Sequence, residues 1–394
     1  MSHPQEPVIQ PQVEQIRAHV QYLTAGRSLW DRLKIHGSVL LRHPLGYLRA
    51  MSYGLRKREI DQGYTTNQRI ECLHLAVDLV RYLDQEKQHH RPGIQHLHAH
   101  FAHDPTFIAQ IVHRITGIPF SFTAHARDLF QVSRTVLADR INLASTVITC
   151  CQNNYTYLTQ IAPQHQSKMK MIYHGVDLRL FHPLKEAAPH QSLPQILSVG
   201  RLVEKKGFFD LLAALRRVND SGCRFQCLIY GDGPLLPDLQ QWIADHNLAD
   251  SVTLAGACTQ PELVSVLQKA TLFVLTPVVT DDGDRDGIPN VLAEAMAVGL
   301  PVISTATGGI TELIHHNQNG LLYPPHDIEG IAAGLVELLS DASKREQFGR
   351  AARERVIDQF DLFQAAARLE AIFFKIRPEP FMNPLASLQS RKSH

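Results

Sequence analysis

The chain has 394 residues, 44% of them hydrophobic and 20% charged, with a formal net charge of +1. This is the composition of a soluble globular protein of about two domains, and the near-neutral balance implies no bulk polyanion partner such as nucleic acid. No apolar run approaches the roughly 20 residues that cross a bilayer, no secretory leader opens the chain, and the six cysteines contain no C-x-x-C pair. The expectation is a cytoplasmic protein with free thiols, peripheral at most to the inner face of the plasma membrane.

Charge is concentrated near the start. Residues 27–58 carry eight basic residues (Arg27, Arg32, Lys34, Arg42, Arg49, Arg56, Lys57, Arg58) against the single acid Asp31, with Trp30 and several leucines interleaved. Two readings stay open: a basic amphipathic surface for an anionic membrane, or a solvated helical face whose leucines pack on the core. Residues 72–83 have helical patterning. Apart from Val8-Ile9, no strand is legible before residue 90.

From residue 94 short apolar runs alternate with helical stretches. Strands are predicted at 94–99, 120–123, 146–149 and 169–173, with helices near 104–116, 133–143 and 152–161 between them. The proline-bearing stretch 182–194 has no periodic pattern and reads as a linker. Alternation then resumes, with strands at 196–199, 225–230, 252–255, 272–275, 301–304 and 321–323. Helices near 207–219, 235–246, 261–269, 289–298, 309–315 and 327–340 separate these. Such alternation predicts an α/β protein with two Rossmann-like parallel sheets, of about four and six strands. The domains expected are 1–181, linker 182–194 and 195–358, with a polar tail at 376–394.

Several constellations carry chemistry. His96, His98, His100 and His103 have period-two spacing that puts the first three on one strand face; zinc is one reading, a polar strand end entering a cleft the other. His125 follows the strand at 120–123; one reading has its side chain in the cleft, donating to a substrate hydroxyl or carrying a proton, the other has it satisfied by backbone. Gly200-Arg201 ends a strand and Lys206-Gly207 precedes a helix, a pairing of two cations with helix amides that suits a diphosphate. Gly231-Asp232-Gly233-Pro234 lacks the third glycine of a dinucleotide fingerprint, so a nicotinamide enzyme is not favoured. Asp282 to Gly287 imitates the start of a calcium loop, but its twelfth position is Ala293 and Pro289 lies inside it. Finally, Asp286 and Glu294 stand eight residues apart at and within a predicted helix. Glu294 is suited to accept both hydroxyls of a ribose.

Together, Gly200-Arg201…Lys206-Gly207, Gly231-x-Gly233-Pro234, Asp286-Gly287-Ile288-Pro289…Glu294 and Gly308-Gly309-x-x-Glu312 resemble the retaining family 4 glycosyltransferases of GT-B fold. His174-Gly175-Val176-Asp177…Phe181-x-Pro183 resembles that family's hinge. His98-Ala99-His100 and Thr123-Ala124-His125 are similar to a bacterial branch that builds exopolysaccharide, colanic acid or lipopolysaccharide. The resemblance covers roughly residues 94–375. It implies two domains facing across a cleft, and a last helix within 359–375 crossing back to the first domain. It implies Arg201 and Lys206 on the diphosphate of a nucleotide sugar, with Gly287, Ile288 and Pro289 at the sugar and phosphate. Glu294 would hold ribose, Asp286 the donor sugar's hydroxyls, and His125 the sugar from the opposite side, with no metal and no further cofactor.

Two departures stand out. The family's first carboxylate is usually Glu and here is Asp286, and the opening strand with its glycine loop finds no match in residues 1–30. The expectation from the resemblance is a metal-independent hexosyltransferase acting on a glycan that is lipid-linked, as the branch implies. The rivals are a transferase with a soluble acceptor and a non-catalytic nucleotide-sugar binder left by loss of the first strand.

Overall fold

The computed structural model describes residues 28–61, 65–89, 93–184 and 193–376. The expectations for Val8-Ile9, Arg27, most of the linker and the tail from 377 lie outside the described residues. Three helices come first: α1 (Leu29–Arg42), α2 (Pro44–Arg56) and α3 (Arg69–His89). The Ser28 hydroxyl caps α1 by accepting from the Asp31 amide at 3.2 Å, and Pro44 opens α2 where no intrahelical N–H is needed. Each of the first two helices buries one narrow face, Ile35 and Val39 in α1, Ala50 and Gly54 in α2.

The first sheet follows. Its strands are β1 (Leu97–His100), β2 (Phe120–Ala124), β3 (Thr146–Thr149) and β4 (Met169–Met171). All pair in parallel in the order β1-β2-β3-β4. The crossovers are α4 (Asp104–Thr116), α5 (Arg127–Phe130) with α6 (Arg134–Leu143), and α7 (Gln152–Ile161). Strand β2 is buried along its whole length, as a strand covered on both faces must be. Strand β1 begins three residues later than the apolar run at 94–99 indicates, because pairing with β2 starts at Leu97 opposite Phe120. The buried Asp104 carboxylate accepts from the amides of Thr66 and Asn67 at 2.8 and 2.7 Å, tying the approach to α3 onto the start of α4. Burial works against its charge, yet bonds from His103, Thr66 and Asn67 win and hold the group down at about 2.

The second sheet has six parallel strands: β5 (Gln195–Val199), β6 (Gln226–Tyr230), β7 (Val252–Gly256), β8 (Leu272–Leu275), β9 (Val302–Thr305) and β10 (Leu321–Tyr323). Their spatial order is β10-β9-β8-β5-β6-β7. The chain therefore starts in the middle, builds outward to one side, then returns and builds to the other, which leaves a topological switch point between β5 and β8. Around this sheet lie α8 (Phe208–Asp220), α9 (Leu236–Asp245), α10 (Gln260–Lys269), α11 (Asn290–Ala297), the single turn α12 (Ile310–Leu313), α13 (Ile328–Ser340) and α14 (Ala342–Gln359).

Two helices differ from expectation. Helix α12 is one turn rather than the stretch 309–315, because the Asn319 side chain takes over its end, donating to the Leu313 carbonyl and accepting from the His315 amide. The sequence reading missed α14, whose apolar stripe is thin: only Phe348, Gly349, Ala352 and Val356 are buried.

The last helix, α15 (Leu362–Ile376), crosses to the first domain. Its entry is sewn to the hinge: the Val176 amide donates to the Phe360 carbonyl at 2.7 Å, and the Leu362 amide to the Val176 carbonyl at 3.1 Å. Gly175 is required there, since a Cβ would lie 2.2 Å from the Leu362 Cα. Phe373 then packs its ring 4.9 Å from that of His98.

The domains are joined a second time across the cleft. Glu312, on α12, accepts from the amides of Gln152 and Asn153 at 2.7 and 3.0 Å and from the Tyr173 hydroxyl at 3.0 Å. These amides are the free N-terminal donors of α7, whose dipole favours an anion. Replacing Glu312 with Ala should raise hydrogen exchange at the Gln152 and Asn153 amides about tenfold or more, the loss of a charge-assisted bond. Unchanged exchange at both amides would show that the carboxylate does not hold the domains together.

Candidate functional site

The carboxyl ends of both sheets face the same cleft. On the C-terminal side, β5 ends in Gly200-Arg201. A short turn, Glu204–Lys206, then leads to Gly207, which has φ 67° and starts α8. Only glycine fits here: a Cβ would lie 1.8 Å from the Thr276 carbonyl oxygen. The buried Thr276 hydroxyl donates to the Gly207 carbonyl at 2.7 Å, and the Val278 amide donates to the Lys205 carbonyl at 2.9 Å. The cation-bearing turn after β5 is thus riveted to the exit of β8, across the switch point.

The glycines of 231–233 serve packing. A Cβ on Gly231 would stand 1.9 Å from the Gly200 carbonyl oxygen, and the Leu202 amide donates to the Asp232 carbonyl at 2.9 Å. The weak dinucleotide pattern is explained by this close approach of two loops.

The acids and cations of the sequence reading meet, but not in the roles expected of each alone. Lys206 Nζ lies 2.5 Å from Asp286 Oδ2. Lys205, which the sequence reading passed over, lies 3.0 Å from Asp284 and 3.4 Å from Asp286. Arg127 of the first domain reaches Asp284 at 3.5 Å, and Gln131 donates to Asp282 at 2.6 Å. The acidic loop 282–286 is therefore neutralised by lysines and an arginine. Lys205 was discoverable, being next to Lys206, but adjacency in a turn does not say which side chain faces inward.

Two groups of the site stand apart from these pairs. Arg201 is exposed at the mouth, and among the described residues its guanidinium has neither hydrogen bond nor ion pair, while its carbonyl accepts from the Val203 amide at 2.8 Å. It borders a cavity of about 340 Å³ shared with Arg127, Lys205, Thr280 and Asp284. Glu294 lies one turn into α11, and among the described residues its carboxylate has no partner. Burial pushes it up to about 7. A half-buried carboxylate without donors is costly, and two hydroxyl donors would relieve it.

Gly287, Ile288 and Pro289 lead into α11, whose first two amides, of Asn290 and Val291, have no partner among the described residues. Gly287 accepts from the Gly309 amide at 2.8 Å. Gly308 has φ 54° and sits where a Cβ would be 2.2 Å from the Asp286 carbonyl oxygen. A Cβ on Gly309 would be 2.8 Å from that of Cys151 in the first domain. The glycine pair therefore lets the 286–288 loop and the N-terminal domain approach each other closely.

On the N-terminal side His125 leaves β2. Its amide donates at 2.9 Å to the buried Asp128, which also accepts from the Ala102 amide. The His125 Nε2 lies 3.0 Å from the His100 Nε2, and its ring centroid is 5.0 Å from that of His174. Burial first, then His174 and His100, push His125 down to about 3, so the ring is neutral at physiological pH. Phe101, between His100 and the Asp128-bound loop, is a non-glycine residue at φ 82°, and its ring is 5.0 Å from that of His125. Such strain costs about 1–3 kcal/mol and persists where surroundings enforce it. Nothing in the local sequence signals it.

The alternating histidines are divided among partners. His96 and His98 both meet the Ser121 hydroxyl at 2.8 Å, His98 also meets Thr123 at 2.9 Å, and His103 is buried beside Asp104. Only His100 turns to the cleft centre, so the four do not form one metal centre.

Glu294 yields a pH prediction. Its folded value lies above the ordinary 4.5, so ionisation costs stability as pH rises from about 4.5 to about 7. The variant Glu294→Gln should therefore melt higher than wild type by a margin that grows between about pH 5 and about pH 8. A margin independent of pH would overturn this account of the carboxyl.

Residues 184–355 match the family model for glycosyl transferases group 1. Over 209 residues the chain is 38% identical to the amylovoran biosynthesis glycosyltransferase AmsK of Erwinia amylovora, covering 53% of this chain and 51% of that protein. It is 37% identical over 188 residues to a putative colanic acid biosynthesis glycosyltransferase, WcaL of Escherichia coli, covering 48% and 46%. The chain spans about half the length of these curated relatives. Among solved structures, sucrose-phosphate synthase from Thermosynechococcus elongatus superposes with a TM-score of 0.65 at 23% identity, over 77% of this chain and 79% of that one. HepE of Anabaena in complex with UDP-glucose gives 0.64 at 20% identity, over 79% and 85%. The fold is that of these proteins, GT-B: two parallel-sheet domains across a cleft.

Proposed function

We propose, from a C-terminal half that matches the family model for glycosyl transferases group 1 and from the geometry of the cleft, that this chain is a retaining glycosyltransferase. It moves a hexose from a nucleotide diphosphate sugar to a growing, lipid-linked surface glycan. One observation carries the reading: an unpaired Arg201 and an unpartnered Glu294 stand at the switch point of the second sheet, opposite neutral His125. A cation waits for phosphate and an acid for hydroxyls, where open α/β sheets bind nucleotides. The names of the similar proteins support a nucleotide-sugar donor and a polysaccharide product.

In this reading Arg201 and Lys206 hold the diphosphate, with the free amides at the start of α11 completing the anion site. Lys206 is shared between phosphate and Asp286, which keeps Asp286 oriented toward the sugar's hydroxyls. Glu294 accepts from the ribose. His125 is uncharged and so positions a sugar hydroxyl without repelling developing positive charge at the anomeric carbon. The bond from that carbon to the β-phosphate oxygen breaks. The acceptor hydroxyl bonds to the carbon from the same face, and its proton passes to the departing diphosphate. Fixed cations stabilise the leaving group, so the chemistry proceeds without a metal.

The variants Arg201→Ala and Glu294→Ala should each lower kcat/KM by about a hundredfold or more while the melting transition survives. Unchanged turnover in both would sink the proposal. Calorimetry with UDP- and GDP-sugars that finds binding, with neither transfer nor donor hydrolysis, would instead leave a nucleotide-sugar binder.

The acceptor side adds a membrane surface to the proposal. Among the described residues no helix is long and apolar enough to cross a membrane. Yet α1 and α2 leave a second apolar face in water: Trp30 is 74% exposed, Leu41 85% and Leu45 68%, with Leu29, Leu33, Leu48 and Leu55 also exposed. Arg32, Arg42 and Lys57 are engaged by Glu71, Asp84 and Asp139. Lys34, Arg49, Arg56 and Arg58 are exposed with no ion pair among the described residues. Apolar insertion framed by free cations is the chemistry of an anionic lipid surface. The chain should sediment with vesicles rich in phosphatidylglycerol and not with pure phosphatidylcholine, and the double variant Leu41→Glu, Leu45→Glu should stay in the supernatant. Equal recovery of wild type and variant would remove the membrane from the reading.

A further inference from the structure

Three adjacent strands of the first sheet deliver one soft or borderline ligand each to the same point. His125 follows β2, Cys150 follows β3 and His174 lies just past β4, and the strands are neighbours in that order. Each residue offers one ligand atom, and these atoms all lie within 4.8 Å of one another. We propose that His125, Cys150 and His174 bind a divalent cation of the zinc class, and that the bound ion closes the cleft to the donor sugar. The occlusion rests on the donor-site reading given above; the metal site does not.

The donor set argues for that class of ion. Two imidazoles and a thiolate suit zinc or cobalt and are poor ligands for magnesium or calcium, which take oxygen. Three protein ligands leave one position for water, the pattern of an open rather than a closed structural site. The surroundings hold the ligands in place. The His174 ring centroid lies 5.0 Å from that of His125. His125 is fixed through its amide by Asp128 and touches His100 at 3.0 Å. The Asn154 side chain donates to the Cys150 sulfur at 3.8 Å; the neighbouring Cys151 and burial push the Cys150 thiol up, so an ion would have to displace its proton.

Occlusion follows from position. The Cys150 sulfur lies 3.5 Å from where a Cβ of Gly287 would be. The ion would therefore sit against the 286–288 loop and on His125, the two groups assigned to the sugar. The nucleotide half of the site, around Arg201 and Glu294, would stay open. The ion is an inhibitor in this proposal and takes no part in transfer.

The test uses the full chain and cobalt(II) as an optical stand-in for zinc. Titration should produce a thiolate-to-cobalt charge-transfer band that zinc(II) abolishes. Cys150→Ser and His174→Ala should each weaken the ion by more than about tenfold, and Cys151→Ser should leave the band in place. Circular dichroism checks that each variant is folded. No charge-transfer band, or a band that survives Cys150→Ser, would overturn the site. For the occlusion, saturating zinc should weaken UDP-glucose or GDP-mannose by more than about tenfold while the free nucleotide binds as before; the factor is at least 1.4 kcal/mol. Equal sugar-nucleotide affinity with and without zinc would overturn it. If neither nucleotide sugar binds at all, the donor reading fails, and the cobalt spectrum still decides the metal site.

Discussion

The arrangement of this molecule turns on one carboxylate. Glu312 leaves the C-terminal domain and ends on the free amides of α7 in the N-terminal domain. Without an anion there, the donors would face a cleft with only solvent to satisfy them. With it, Cys150 and Cys151 at the head of α7 are drawn onto the Gly287 and Gly308-Gly309 loops. The close approach of Cys151 is sterically open only because Gly309 carries no side chain: a Cβ there would stand 2.8 Å from that of Cys151. The second tie, α15 sewn to the hinge at Val176, sets the axis about which the domains face each other. The latch is polar and partly solvated, so it is of the kind that forms and breaks as a cleft opens and closes.

Charge in the cleft is arranged in two classes. Lys205, Lys206 and Arg127 are matched by Asp284 and Asp286, a local balance that tolerates partial burial. Arg201 and Glu294 are left unmatched on either side of it. Unmatched groups are the ones whose free energy changes most when a ligand of complementary charge or hydrogen bonding arrives. The matched set keeps the loop 282–286 in place and lets Lys206 be shared. The histidines opposite contribute shape and hydrogen bonds rather than charge: burial holds His125 down at about 3, and His174 is lowered from its ordinary value.

Much of this was legible along the chain. Continuous apolar runs such as 272–275 and 146–149 became strands with the same bounds, because a strand buried on both faces leaves no other pattern. The cation turn, the Asp286–Glu294 segment and the glycine pairs were visible as motifs. Other features were not. Helix α14 hid behind a polar sequence with a thin stripe, and the strain at Phe101 has no residue signature. The four histidines spaced for one strand face turned out to be divided, with only His100 joining the cleft centre.

Sequence by itself determined the strands and most of the helices from residue 94 onward, the parallel class of both sheets, and which residue types stand at strand ends. These depend on local periodicity and on side-chain chemistry at fixed spacing. Only the tertiary structure decided that β5 and β8 are neighbours, that Lys206 pairs with Asp286 while Arg201 stays free, and that Glu312 bridges two domains. It also brought His125, Cys150 and His174 from three strand ends to one point. Strand order and domain closure follow from how whole faces pack, and contacts between residues far apart in the chain leave no spacing to read.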